Sequence, residues 1–410
     1  MGDNGRQLSM YLSDLVTPAT VIDRPRLLRN IERMSVKAAL NDVSLRPHIK
    51  THKCLEIVHL QQKYGAKGFT VSTLAEARVL TGNGFEDLIL AVPLALGWIP
   101  TAVEIASESN LKVLVDSQDV VRALHSACRE NDIQLKVMMK VDCGYHRCGV
   151  DPESPKSIDI AQEIVDSPYL GFEGILTHAG HSYYTKDSSD IQRVASQEQH
   201  VMIDFARRLT NKSSDLTPET VSIGSTPTMM YDAPIKEGIT EIRPGSYVFF
   251  DYHQLAIGSC KSRDCALTVL SSVLGNYNTH IVVDAGATAL SKDRGPVHLY
   301  PDCGYGRIFT DYNNGAIAQD TLIEGLSQEH GTVLVGNTSP LRKAQVGHKV
   351  RILPNHSCLT ANLSDSYYVA EGEEIVDTWL VRSERELTNI NDRQSNSETS
   401  DSDSAHLSDT

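Results

Sequence analysis

The 410-residue chain has no CxxC pair, no GxGxxG loop behind a strand, and no apolar run long enough to cross a bilayer. Each absence excludes something. Eight cysteines lie scattered without paired spacing, so they are expected to be reduced thiols of a cytoplasmic protein. Without the glycine fingerprint, no dinucleotide site is indicated. The longest apolar stretch, Leu88 to Ala106, is broken by Pro93, Gly97, Pro100 and Glu104. It reads as strand, loop and helix start, so no membrane span is expected. The first seven residues have no apolar h-region, so no secretory signal is expected, and Arg6 stands where a myristoylation motif wants Ser or Thr. Positive charge is also scarce. Lys and Arg number 38 against 52 acids, a formal net charge of -14. From Glu384 to Thr410 there are seven acids and two bases, a net -5, which leaves about -9 on the body. A negative body argues against nucleic acid as a partner. A small anion in a locally basic pocket stays open.

What is present suits a soluble two-domain protein: 40% hydrophobic and 22% charged residues. Pro25 opens a helix in which Leu27, Ile31, Met34 and Ala38 share a face. A strand-helix beat follows. Its strands are predicted at 43–49, 68–72, 87–92, 111–116, 135–141, 171–177, 220–223 and 241–243. Amphipathic stretches such as 118–130 and 191–209 lie between them. Near-continuous apolar strands suit a parallel sheet covered on both faces. Eight of them alternating with helices is the count of a (β/α)8 TIM barrel, with a doubly wound open sheet as the alternative. After about residue 255 the beat gives way to strands joined by Gly, Asn and Pro turns, at 265–274, 280–284, 297–300, 307–311, 332–335, 347–352 and 374–381. The expected organisation is an N-terminal arm (1–16), a barrel (17–255), a smaller antiparallel β-domain (256–385) and an acidic disordered tail (386–410).

The chemistry centres on Arg46-Pro-His-Ile-Lys-Thr-His-Lys53. If the first barrel strand continues through it, His48, Lys50 and His52 point one way. The segment is either a solvated strand end or a lysine poised to form a Schiff base with a carbonyl compound. Barrels gather functional groups at the C-terminal ends of their strands. There the chain places Asp142, His146 and Arg147 after the fifth strand, and His178, His181, Tyr183 and Tyr184 after the sixth. Gly224-Ser-Thr226 follows the seventh and Gly245-Ser-Tyr247 the eighth. Glycine and hydroxyls at these two loops suit a phosphate, and a helix cap is the plainer reading. A phosphate cup facing a lysine on the first strand is what pyridoxal phosphate requires. In the β-domain, His356 and Cys358 sit two apart in an extended loop and can reach one ion. Imidazole with thiolate favours zinc. Two ligands either leave room for water and substrate or hold no metal at all.

Five motifs, in order, resemble eukaryotic D-serine dehydratase, which is grouped with D-threonine aldolase in the alanine-racemase-like class of pyridoxal phosphate enzymes. They are Arg46–Lys53, Asp142–Gly149, Ser222–Thr228, Glu241–Tyr247 and Pro354–Cys358. The resemblance runs from about Thr17 to Val381. It implies a barrel plus β-domain (fold type III), a homodimer, pyridoxal 5'-phosphate, zinc, and a small D-amino acid as substrate. It places Lys50 on the cofactor as its anchor and as the catalytic base. It also places Arg147 at the phenolic oxygen, Tyr183 near the pyridine ring, Gly224, Ser225, Thr226, Ser246 and Tyr247 around the phosphate, and His356 and Cys358 on the metal. D-threonine aldolases are similar but tend to carry a carboxylate where Cys358 stands, which favours a dehydratase. A D-threonine aldolase, a 3-hydroxy-D-aspartate dehydratase and a non-catalytic cofactor-homeostasis protein remain alternatives.

Overall fold

A computed structural model of the protein describes residues 9–277 and 279–381. The acidic tail expected at 386–410 and the start of the expected N-terminal arm lie outside the described residues. Two short strands come first, β1 (Met10–Tyr11) and β2 (Ala19–Asp23). The helix Arg24–Leu40 follows. Asp23 caps it by accepting the Arg26 N–H at 2.8 Å, Pro25 lies in its first turn, and Leu27, Ile31, Met34 and Ala38 are all buried.

Eight strands then alternate with helices. They are β3 (Ser44–Leu45), β4 (Phe69–Val71), β5 (Asp87–Pro93), β6 (Asn110–Val115), β7 (Leu135–Lys140), β8 (Leu170–Leu176), β9 (Thr220–Ile223) and β10 (Glu241–Ile242). All pair in parallel, in the order β3-β10-β9-β8-β7-β6-β5-β4. A parallel bridge between His48 and Thr70, with the Thr70 N–H donating to the Pro47 carbonyl at 2.8 Å, joins the two ends and closes the barrel. The stretch from Leu88 resolves as expected into β5, a turn at Leu96–Trp98 and the helix Ile99–Glu108. No helix among the described residues is long and apolar enough to cross a membrane.

The first strand does not run on through Lys50. Ile49–Thr51 is a tight 3-10 turn, and the expected one-sided row of His48, Lys50 and His52 does not form. His52 is fully buried edge-on to Phe249, and its Nδ1 accepts the Cys54 N–H at 3.2 Å. Burial pushes its pKa down to about 3, so it is a neutral core residue. Of the three, Lys50 lines the cavity described below.

Charged groups gather beneath the mouth. Arg46 donates to Glu241 at 2.6 Å and to Asp87 at 2.9 Å, and Lys112 also pairs with Asp87. Gly68 makes room for this, since a Cβ there would lie 2.0 Å from Arg46 Nη1. The Glu241 side chain is only 4% exposed. Truncating it strands a buried guanidinium, so Glu241→Ala should lower unfolding stability by about 3–5 kcal/mol, read from urea denaturation.

The second sheet is formed by β1, β2 and eight later strands. These are β11 (Leu267–Asn276), β12 (His280–Val283), β13 (Gly306–Asp311), β14 (Ala316–Leu326), β15 (Gly331–Val335), β16 (Lys349–Pro354), β17 (Ser366–Glu371) and β18 (Glu374–Leu380). The order is β1-β18-β17-β2-β11-β12-β15-β14-β13-β16, and β11 also pairs with β16, which rolls six of the strands into a closed ring. Val269, Ile281, Ile308, Ile323, Val333 and Ile352 pack within one core cluster of this sheet. All pairings are antiparallel except β2 with β17. The expected strand at 297–300 is instead a turn, in which the Tyr300 N–H bonds back to the Pro296 carbonyl at 3.0 Å. Prolines 296 and 301 bracket it, and proline cannot donate to a ladder. β14 and β17 were not foreseen. Register shifts in both blur the alternation that marks a strand.

Candidate active site

The C-terminal ends of the barrel strands and one edge of the β-domain enclose a cavity of about 640 Å³. Its walls include Lys50, His178, Tyr183, Ser246, His356 and Cys358. Two loops meet under Lys50. A Cβ on Gly245 would lie 3.0 Å from Thr51 Oγ1 and 3.1 Å from His48 Cβ, so only glycine lets the loop after β10 lie against the lysine turn. That contact carries Ser246 inward. Its hydroxyl lies 3.5 Å from Tyr183 Oη and 3.6 Å from Cys358 Sγ. Cys358 Sγ in turn is 3.3 Å from Thr51 Oγ1. The lysine turn, the loop after β10 and the β-domain thiol are thus one hydrogen-bonded assembly.

Lys50 is open to solvent at the mouth, yet the enclosing walls lower its ammonium pKa by desolvation. Arg147 pushes the same way, while Cys358 and Glu76 oppose. His178 lies near both Lys50 and Lys140. Burial holds His178 well below an ordinary histidine, with Lys50, Lys140 and Arg147 adding to the shift, so its ring is neutral. Its Nδ1 lies 3.3 Å from the Gly224 carbonyl and donates to it. Burial and the neighbouring Arg243 push Lys140 down to about 8, and burial pulls Arg243 down to about 10. Arg243 also faces the buried carboxylates Glu241 and Glu198, so the enclosed charge here is of both signs.

The loop after β9 is pinned from behind. Gly224 has φ of +124°, and its N–H donates to Glu198 at 2.9 Å; Thr228 donates to the other Glu198 oxygen at 3.0 Å. Burial raises the Glu198 pKa. Ser225 Oγ meets Ser182 Oγ at 2.8 Å, and Thr226 Oγ1 accepts the Tyr247 N–H at 3.1 Å. Of the expected set, Ser246 lines the cavity, whereas Gly224, Ser225 and Thr226 lie buried behind it. Tyr247 contributes its backbone there, while its phenol is buried and bonded to Gln61 at 3.0 Å. Arg147 is exposed, with its guanidinium 5.1 Å from the centre of the Tyr145 ring. Asp142 staples its own loop by accepting the N–H groups of Gly144, Tyr145 and His146. His146 is exposed and paired with Asp142, and His181 stacks on Tyr145.

At the far wall His356 Nδ1 lies 3.1 Å from Asp293 Oδ2. Burial opposes protonation of His356, but Asp293 and Cys358 raise its pKa well above the ordinary value. Burial likewise pushes the Cys358 thiol up, and His356, Thr51 and Lys50 outweigh it, leaving a net lowering. A thiol biased toward thiolate beside an imidazole is a donor pair that fits zinc. Among the described residues no set of three histidines, cysteines or carboxylates forms a metal cluster. Lys140, Glu198, Asp293 and Thr51 were not singled out from sequence. Only Lys140 left a local signal, a lysine ending an otherwise apolar strand.

A barrel followed by a β-domain is also the fold of alanine racemase. The alanine racemase of Clostridium difficile 630 aligns with a TM-score of 0.63 at 15% identity, covering 89% of this chain and 98% of that one, a likeness of fold. Residues 22–253 match the alanine racemase N-terminal domain, and residues 266–370 match a serine dehydratase domain. D-serine dehydratase of Dictyostelium discoideum is 34% identical over 385 residues, covering 88% of this chain and 95% of that protein. D-threo-3-hydroxyaspartate dehydratase of Delftia sp. (strain HT23) is 35% identical over 376 residues, covering 90% and 97%. The structure of the Delftia enzyme aligns with a TM-score of 0.85, covering 91% of this chain and 99% of that one. D-threonine aldolase of Arthrobacter sp is 27% identical over 378 residues, covering 90% and 93%. The chain belongs to the alanine racemase-like family that includes the D-serine dehydratases, and it is a lyase of that family.

Proposed function

We propose that the enzyme is a D-serine ammonia-lyase, dependent on pyridoxal phosphate and zinc, that converts D-serine to pyruvate and ammonia. One observation carries the reading: Lys50 and the His356–Cys358 pair line a single cavity, and Cys358 touches the residue next to Lys50. Ser246 on the cavity wall, with Gly224, Ser225 and Thr226 in the loop beside it, would hold the phosphate of the cofactor. Pyridoxal phosphate, when bound, supplies an electron sink for negative charge at the substrate α-carbon. Zinc, when bound, supplies a Lewis acid for a poor leaving group. A cysteine-to-alanine mutant of the Delftia enzyme described in a metal-free form supports a metal in this family.

The chain's own residues divide the work. Lys50 anchors the cofactor, and its amine then takes the α-proton. Its lowered pKa keeps more of that amine neutral, and so basic, near pH 7 than a free lysine allows. Tyr183 would face the cofactor ring, held by its contact with Ser246 and by His253, whose Nε2 donates to the Tyr183 carbonyl at 2.8 Å. His356 and Cys358 would hold the ion that serves the β-hydroxyl. The walls keep amine, α-hydrogen and hydroxyl in one geometry. We assign Arg147 to the cofactor's phenolic oxygen and the Tyr247 backbone to the phosphate loop as parts of the same proposal.

Tyr184, Val297 and Leu359 are apolar, exposed and on the cavity rim, which supports a homodimer in which a second copy covers the mouth. All eight cysteines stand unpaired, which supports a reducing, cytoplasmic setting. Identity with the Delftia enzyme favours D-threo-3-hydroxyaspartate as the second reading. The test is a product assay with purified protein. D-serine should yield pyruvate and ammonia in equal amounts, and L-serine none. Acetaldehyde and glycine from D-threonine as the faster reaction would identify an aldolase. Oxaloacetate from hydroxyaspartate, with no turnover of D-serine, would select the second reading.

A further inference from the structure

We infer that Asp293 is the positioning residue of the metal centre, its carboxylate holding the His356 imidazole by Nδ1 so that Nε2 faces the ion. The inference rests on the metal reading above and adds to it a residue that acts through a ligand.

An ionised carboxylate only accepts, so the 3.1 Å contact between Asp293 Oδ2 and His356 Nδ1 keeps a proton on Nδ1. A ring held in this way that gives up its other proton to bind an ion frees its lone pair at Nε2. Such a contact orders a ligand only if the carboxylate is itself fixed, and here it is. Its other oxygen accepts the Gly295 N–H at 2.6 Å. Its backbone carbonyl accepts from Asn355 Nδ2 at 3.2 Å, and the same amide donates to the Gly304 carbonyl at 2.8 Å. The loop that carries Asp293 is thus tied to the residue immediately before His356. Gly295, at φ of +61°, lies so close to Asn355 that a Cβ would be 3.0 Å from the Asn355 Cβ.

A second aspartate holds the same segment differently. Asp251 Oδ2 accepts from Ser357 at both N (2.9 Å) and Oγ (3.1 Å), between the two ligands. Asp251 fixes where the ligand loop runs, and Asp293 fixes which way its imidazole turns. Outer carboxylates of this kind alter metal affinity by about 10–100-fold.

The experiment compares wild type with Asp293→Asn, Asp293→Ala and His356→Ala, each loaded with pyridoxal phosphate. Zinc affinity is read by competition with a chromophoric chelator. Asn keeps an acceptor without the charge, and Ala removes both. Affinity should fall about tenfold in Asp293→Asn and about 100-fold in Asp293→Ala, with the cofactor absorbance and the melting temperature of the metal-free protein unchanged. The thiolate-to-metal band of the cobalt-substituted protein should persist at its wild-type position in Asp293→Asn. Zinc affinity within twofold of wild type in Asp293→Ala, with His356→Ala unable to bind, would overturn the inference and leave the metal site standing. An Asp293→Asn cobalt spectrum as altered as that of His356→Ala would also overturn it, by making Asp293 a direct ligand. Wild type that takes up no zinc would overturn the metal reading, and this inference with it.

Discussion

Lys50→Ala should abolish turnover of D-serine, a fall of about four orders of magnitude or more, and erase the visible absorption of lysine-bound pyridoxal phosphate. Both losses follow from one amine serving as anchor and base. The structure gives no substitute at the same place. Lys53 also lines the cavity but lies 3.6 Å from Glu76, and Lys140 is buried beneath, among Arg243, Cys148 and Cys143. Lys50→Arg keeps the charge and length but removes the nucleophilic amine, so it should be equally inactive. Cofactor held without the lysine bond would still absorb at its own wavelength, so absorbance and activity should be read separately. Wild-type absorbance or D-serine turnover in Lys50→Ala would remove the lysine from its role.

The second large effect falls on the other wall. Cys358→Ala takes one of two protein ligands from the ion and should reduce pyruvate formation by about three orders of magnitude, since a Lewis acid is worth several kcal/mol at a departing hydroxide. Cofactor absorbance should survive, because the phosphate loop and Lys50 are untouched. A chelator should imitate the substitution in wild type, and zinc should restore wild type alone. Full activity in rigorously metal-free protein would end the zinc account. Cys358→Asp tests the aldolase comparison directly: it retains a ligand of the type aldolases tend to show there, so metal uptake should persist while dehydration falls.

How much of this could be read from the chain depends on how local the cause is. Barrel strands announce themselves because each is a short apolar run between amphipathic helices, and the helix at 118–130 was placed to the residue. Lys50 was legible because a lysine behind Arg-Pro-His is odd on a buried strand. Its direction was not, since the turn at Ile49–Thr51 depends on the loop after β10 lying against it. The pairings that build the site have no spacing to read. Thr51 and Cys358 are 307 residues apart, and Asp293 and His356 are 63 apart. Glu198 looks in sequence like any acid on a long helix, and only the fold shows that it holds the phosphate loop. Strands β14 and β17 escaped because their register shifts break the alternation on which strand recognition rests.

Strand β2 is inserted between β17 and β11, and all five of its residues are buried. A ribosome delivers it before almost everything it will pair with. At about 5–20 residues per second, the segment Ala19–Asp23 waits on the order of tens of seconds for Ser366–Glu371 to be synthesised. Throughout that interval a sticky β-edge is displayed by a nascent chain that cannot hide it. Production of this enzyme should therefore depend on chaperone capacity, and truncations ending before Ser366 should accumulate as aggregates however complete their barrel is.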